Sequence, residues 1–70
     1  MSHDYKLAVI AVLRDKGDWM EVEEVVAETV GLGSRREAQR VNLTLIQLVE
    51  DGEAIKRYGG GSLTRYKIKN

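Results

Sequence analysis

The spacing of apolar side chains along the chain predicts three helices followed by a β-hairpin. From about Asp4 to Lys16 the residues favour helix, with Asp4 as the N-cap and Gly17 as the C-terminal stop. The stretch 7–13 within it is apolar on every side of a helical wheel, where a surface helix would show a polar stripe. This helix is therefore expected either to be enclosed by the fold or to meet a second subunit.

A second helix is predicted from Val22, because apolar side chains recur at the spacing i, i+3, i+4, i+7 and i+8 with glutamates opposite them. The valines favour strand intrinsically, but the periodicity and the glutamates of the first turn favour helix. Segment 18–21 before it is predicted to form one or two rungs of a β-ladder, and segment 31–33 to end the helix. The apolar positions are Val22, Val25, Val26, Thr29 and Val30, and the glutamates are Glu23, Glu24 and Glu28.

The third helix is predicted to begin with a capping box, the sequence S-x-x-E at 34–37. In that motif the Ser34 hydroxyl accepts a hydrogen bond from the Glu37 amide, and the Glu37 carboxylate reaches back to Ser34. The helix ends at 51–52, and its core stripe is Ala38, Val41, Leu45, Leu48 and Val49. A turn of about 100° per residue places Arg36, Arg40, Leu43 and Gln47 on the far side, with Arg35 and Gln39 at its edge.

The remaining residues predict a hairpin, with strands at 53–58 and 62–69 around the glycines 59–61. In the second strand Tyr66 and Ile68 alternate with basic residues, so one face is expected to be buried and the other basic. Those basic residues are Arg65, Lys67 and Lys69. The aromatic side chains are expected to pack in the core or on the hairpin rather than to stack on bases, and they are Trp19, Tyr58 and Tyr66.

Length and composition predict one soluble, cytoplasmic domain covering residues 1–70. The chain has no cysteine, which excludes disulfides and thiolate metal sites. Its first residues do not resemble a signal peptide, and its longest apolar run is too short to span a bilayer. The single histidine, His3, is terminal, and no catalytic constellation is evident. We therefore expect no enzyme activity, no cofactor, no metal and little room for a ligand pocket of about 300 Å³ or more.

Charge is divided unevenly along a chain whose formal net charge is zero. Through Gly33 there are three basic and seven acidic residues, and from Ser34 onward there are eight basic and four acidic ones. Such asymmetry is a hint of polyanion binding, although two solvated faces of opposite sign would give the same count. Three arginines near the positive end of the third helix weigh towards a bound anion, because the helix dipole disfavours cations there.

The order helix, short strand, helix, turn, capped helix and hairpin resembles that of the winged-helix, or winged helix-turn-helix, superfamily. The resemblance covers essentially the whole chain. It is carried by segments 17–20 and 22–27, by the L-x-x-x-G end of the third helix at 48–52, and by A-I-K-R-Y-G-G-G followed by R-Y-K-I. It implies an α+β fold in which a three-helix core carries a C-terminal β-hairpin wing.

The resemblance to winged-helix proteins also implies a function, sequence-specific binding of double-stranded DNA by a small transcriptional regulator. In that family the third helix lies in the major groove and the wing contacts a flanking phosphate or the minor groove. Carried over by position, the groove-facing candidates are Arg35, Arg36, Gln39, Arg40 and Leu43, and the wing candidates are Lys56, Arg57, Ser62, Thr64 and Arg65. Arginine can read guanine and glutamine can read adenine through paired hydrogen bonds.

Two alternatives stay open at the level of sequence. Many DNA-binding winged helices are basic overall, whereas this chain is neutral, so a protein–protein interaction module on the same fold is the second hypothesis. Its working surfaces would be the acidic second helix and the surplus apolar surface of the first. A homodimer through the first helix, using Tyr5, Ala8 and Val12 or Leu7 and Ala11, is compatible with either function.

Overall fold

The computed structural model describes residues 5–31, 33–58 and 64–69, and within them the chain forms an α+β fold. Three helices are followed by a hairpin that completes a three-stranded antiparallel sheet, consistent with a wing. None of the described helices is both long enough and apolar enough to cross a membrane. The elements are α1 (Tyr5–Lys16), β1 (Met20–Glu21), α2 (Val22–Thr29), α3 (Arg35–Glu50), β2 (Ala54–Tyr58) and β3 (Thr64–Ile68).

Helix α1 lies against the core on one side only. Val9, Ile10 and Leu13 are buried, whereas Leu7 is 66% exposed. Gly17 ends the helix at φ 66° and its amide donates to the Leu13 carbonyl, as expected for a glycine stop. The predicted N-cap, Asp4, lies outside the described residues. The apolar outward side confirms that α1 carries more apolar surface than this domain covers, with Leu7, Ala8 and Ala11 exposed and Tyr5 and Val12 half-buried.

Helix α2 has the predicted one-sided pattern, since Val25 and Val26 are buried while the glutamates opposite them are exposed. Its start is held by the carboxylate of Glu24, which accepts from the Glu21 amide at 3.1 Å. Gly31 follows the helix at φ 82°, a left-handed conformation that favours glycine, and its amide donates to the Val26 carbonyl. Of the predicted stop at 31–33, Leu32 lies outside the described residues.

Helix α3 begins at the predicted cap, but only half of the capping box forms. The Ser34 hydroxyl accepts from the Glu37 amide at 3.2 Å. The expectation that Glu37 reaches back to Ser34 is wrong, because a Glu37 carboxylate oxygen instead accepts from the Tyr5 hydroxyl at 3.3 Å. The carboxylate is drawn to α1, 32 residues away in sequence, rather than to its own helix end.

The sheet has the order β1-β3-β2, so the short β1 pairs with the outer edge of the hairpin. Met20 lies opposite Tyr66 in β3, and Ala54 of β2 lies opposite Ile68. All four side chains are buried, which confirms that alternate residues of β3 face the core. The prediction placed Glu53 and Lys69 within the strands, whereas they lie just outside them. Residues 59–63 lie outside the described residues.

The core is where the three helices and the inner face of the sheet meet. From α3 it takes Val41, Leu45 and Leu48, all completely buried, and Ala38 and Val49 pack against its edge. Among the described residues no polar or charged side chain is buried. An apolar interior without unsatisfied polar groups carries no desolvation cost, and this favours folding of a chain with so small a core.

Replacing Leu45 by alanine is expected to lower the free energy of unfolding by about 2–5 kcal/mol, because it opens a cavity in the core. Leu43 stands two residues away on the same helix but is 57% exposed, so Leu43→Ala is the matched control. It should change stability by no more than about 0.5 kcal/mol. Urea denaturation of both variants checks this, and equal losses would contradict the assigned faces of α3.

Replacing Ser34 by alanine is expected to cost about 1 kcal/mol of stability, since the Glu37 amide loses its acceptor. Ser34→Asp should retain most of it, because aspartate is also a good N-cap. Thr44→Ala is the control, since its hydroxyl donates only to the Arg40 carbonyl within α3. Thermal and urea unfolding measure the difference, and a Ser34→Ala loss no larger than that of Thr44→Ala would argue against the cap.

Candidate nucleic-acid interface

Three arginines project from the first six residues of α3. Arg35, Arg36 and Arg40 are all exposed, as the helical wheel predicts. At about 100° per residue, Arg36 and Arg40 point about 40° apart, while Arg35 is about 100° from Arg36. None of the three pairs with a carboxylate of the described residues, whose ion pairs involve Lys6 and Arg65 instead. The cluster therefore presents to solvent three positive charges that have no ion-pair partner among the described residues.

The position of the arginines on the helix makes this charge unfavourable for the isolated domain. The N-terminal end of a helix carries a partial positive charge, which repels cations within the first turn. Glu37, the acidic residue in the first turn of α3, accepts a hydrogen bond from Tyr5 and offsets part of this charge, but it forms no ion pair with the arginines. An external anion near Arg35 and Arg36 would relieve both the mutual repulsion of the guanidinium groups and their repulsion by the dipole.

The other predicted residues of α3 also reach solvent. Gln39 is exposed, and Leu43 is exposed by more than half of its surface. Arg40 and Leu43 line one side of a depression of about 290 Å³ whose opposite side is formed by Tyr5 and Lys6 of α1. The five predicted residues of α3 thus share one exposed side of the helix.

The hairpin register separates the predicted wing residues onto two faces. Lys56 lies opposite Tyr66, and Thr64 lies opposite Tyr58, so these side chains share the face that carries the core. Arg57 and Arg65 lie opposite each other on the other, outward face. The sequence analysis had treated all of these wing residues as one contact surface. Ser62, the remaining wing candidate, lies outside the described residues.

The outward face of the sheet combines cations with the one tryptophan of the chain. The Arg57 guanidinium lies 4.6 Å and the Lys67 ammonium 5.7 Å from the centre of the Trp19 ring, which is half-buried. Arg65 lies 3.7 Å from the Glu21 carboxylate, so its charge is partly compensated, unlike those on α3. Two arginines directly opposite each other on neighbouring strands are destabilising by themselves. The tryptophan and Glu21 offset part of that cost.

The aromatic side chains follow the prediction in two of three cases. Tyr66 is buried in the core, and Trp19 packs against the hairpin. Tyr58 does not pack in the core, since it is 69% exposed. Its ring contacts the hairpin through Lys56, whose ammonium lies 5.4 Å from the ring centre. At this end of the described hairpin the core no longer lies beneath the sheet, so an inward register position is not a buried one.

Asn42 is a candidate that the sequence analysis missed. It is half-buried and lines a crevice of about 260 Å³ between α3 and β3, together with Thr64 and Tyr66. The only signal in the sequence is its position, since Asn42 is a polar residue that directly follows the core residue Val41. Glu21 of β1 and Glu23 of α2 line the same crevice, so that side of it is acidic while the exposed side of α3 is basic.

A groove between α1 and α2 corrects the expectation that the chain has little room for a ligand. Its volume is about 530 Å³, within the range of ligand pockets, and it is open to solvent. Each of the two helices contributes an alanine to its lining, Ala11 from α1 and Ala27 from α2. The lining residues are Ala11, Val12, Asp15, Lys16, Met20, Glu24, Ala27 and Glu28.

Comparison of the chain with models of protein families, with curated proteins and with solved structures gave no significant match. The candidate interface is accordingly defined by its own geometry. It consists of the exposed side of α3 with its three unpaired arginines, flanked by the crevice at Asn42 and the two faces of the hairpin.

Proposed function

We propose that the protein binds double-stranded DNA through α3 and acts as a small transcriptional regulator. The observation that carries the proposal is the unpaired state of Arg35, Arg36 and Arg40 at the positive end of an exposed helix. A polyanion supplies the ion-pair partners that the described carboxylates do not. The phosphate backbone of DNA is the polyanion that such basic surfaces commonly bind.

The dimensions of α3 suit the major groove. Sixteen residues give a helix about 24 Å long, and the groove of B-DNA is about 12 Å wide, enough to admit a helix. In this arrangement Arg36 and Arg40 donate to guanine O6 and N7 or to phosphates, and Gln39 pairs with adenine. Leu43 lies against a thymine methyl group. The exposed side of α3 thus supplies both charge and base-specific chemistry.

The hairpin contacts the DNA backbone beside α3. Lys56 and Thr64 lie on the face that continues towards Asn42, so they reach phosphates next to the helix. Arg57 and Arg65, on the opposite face, add to the positive field around the site. Zero net charge is no obstacle, because the separation of basic and acidic residues orients the domain as it approaches DNA.

A homodimer remains a prediction alongside this function. The outward side of α1, with Leu7, Ala8 and Ala11 exposed, is the surface that a second copy would use. Two symmetric copies would bind half-sites about one helical turn apart. Sequences selected by such a dimer would read as inverted repeats, whereas a monomer would select a single half-site.

The affinity for duplex DNA is expected to fall steeply with salt, with a log–log slope of about −3 to −5, because each neutralised phosphate contributes about −0.9. A randomised duplex pool titrated at two salt concentrations, followed by sequencing of the bound fraction, measures the slope and the base preference together. A lack of detectable binding at low salt would contradict the proposal.

The double substitution Arg36→Ala and Arg40→Ala is expected to weaken binding about 30-fold or more and to relax base preference, because each paired contact to a base contributes about 1–3 kcal/mol. The matched control is Arg14→Ala with Lys16→Ala, which removes the same charge from exposed positions at the end of α1. Fluorescence anisotropy with a selected duplex measures both. An equal loss of DNA affinity in the two double variants would show that α3 has no special role in binding.

A further inference from the structure

The groove between α1 and α2 lies outside the proposed DNA interface. Its lining comes from α1, from Met20 of β1 and from α2, and includes no residue of α3, β2 or β3. A ligand in the groove would therefore leave the three arginines of α3 free. We propose that this groove docks a short helical segment of a partner protein, with basic residues on one side of that segment and leucine-sized apolar residues on the other.

The floor of the groove is apolar and explains the apolar side of the proposed partner. Val12 is half-buried, Met20 is 3% exposed, and Ala11 and Ala27 stand exposed on the two helices. A helix that inserts larger apolar side chains between these alanines removes their methyl groups from water. This is the helix-in-groove mode of peptide recognition.

The rim of the groove is acidic and explains the basic side of the partner. Asp15, Glu24 and Glu28 line it against a single cation, Lys16. Asp15 and Glu28 form no ion pair with any described residue. No group of three potential metal ligands occurs among the described residues, so the rim does not form a metal site of that kind. Several separate cations on an elongated ligand complement such a rim.

The extent of the groove sets the length of the segment. Residues 11–16 of α1 span about 8 Å along the helix axis, so one to two turns of a partner helix fill it. A polyamine would meet the carboxylates but has no branched apolar group for the floor. A second copy of this chain that paired through Leu7, Ala8 and Ala11 of α1 would compete for Ala11, so that dimer and the docked segment exclude each other at this residue.

The experiment is a titration of the ¹⁵N-labelled full chain with a synthetic 14-residue helical peptide that carries leucines on one side and arginines on the other. We expect micromolar binding, with amide shift changes concentrated at Ala11, Asp15, Ala27 and Glu28. Two twin peptides, one with glutamate for arginine and one with serine for leucine, should bind at least about tenfold more weakly. Equal binding of spermine, or shift changes centred away from the groove, would overturn the proposal.

Variants of the protein distinguish binding in the groove from nonspecific attraction of the basic peptide to acidic residues elsewhere on the surface. The double variant Asp15→Asn with Glu28→Gln should lower the affinity for the peptide about fivefold. The control, Glu23→Gln with Glu50→Gln, removes two exposed carboxylates outside the groove and should leave that affinity unchanged. Ala27→Leu fills the groove from an exposed helix position and should also weaken binding. Equal losses in the two charge variants, no effect of Ala27→Leu on peptide binding, or sedimentation showing a dimer that Ala27→Leu dissociates would each overturn the proposal. DNA affinity should be unchanged by Ala27→Leu, which keeps this test independent of the DNA-binding proposal.

Discussion

Burial of one stripe of α3 is the constraint on which the rest of the structure depends. Val41, Leu45 and Leu48 are inaccessible to solvent, and they meet α1, α2 and the inner face of the sheet at once. Once this stripe is fixed, the opposite side of α3 must face outward, since the residues of a helix cannot rotate independently of each other. The arginines are exposed for this reason and do not depend on any contact of their own for their orientation.

The same constraint separates the chemistry of the molecule into regions. The basic side of α3 faces solvent, while the carboxylates of α2 and the end of α1 surround a groove that contains none of its residues. A neutral chain thereby acquires two surfaces of opposite character. Net charge describes the whole molecule poorly in such a case, and the distribution of charge decides which partner each surface favours.

The local elements were predictable from the sequence because their signals are local. The apolar periodicity of α2 and α3, the Ser34 cap and the alternation around Tyr66 each depend on residues a few positions apart. What escaped prediction depends on contacts between distant segments. The Glu37 carboxylate meets Tyr5 across 32 residues, and the register decides that Lys56 lies opposite the buried Tyr66 while Arg57 lies opposite Arg65. The groove likewise depends on the packing of α1 beside α2, which brings Ala11 and Ala27 to one lining.

The shortest strand of the sheet has a structural consequence. β1 has two residues and runs directly into α2, with Met20 paired to Tyr66 of the hairpin while it also lines the groove. The sheet, the core and the groove therefore share one side chain. Because Met20 is buried, pairs with Tyr66 and lines the groove, a substitution at this one position would disturb all three together.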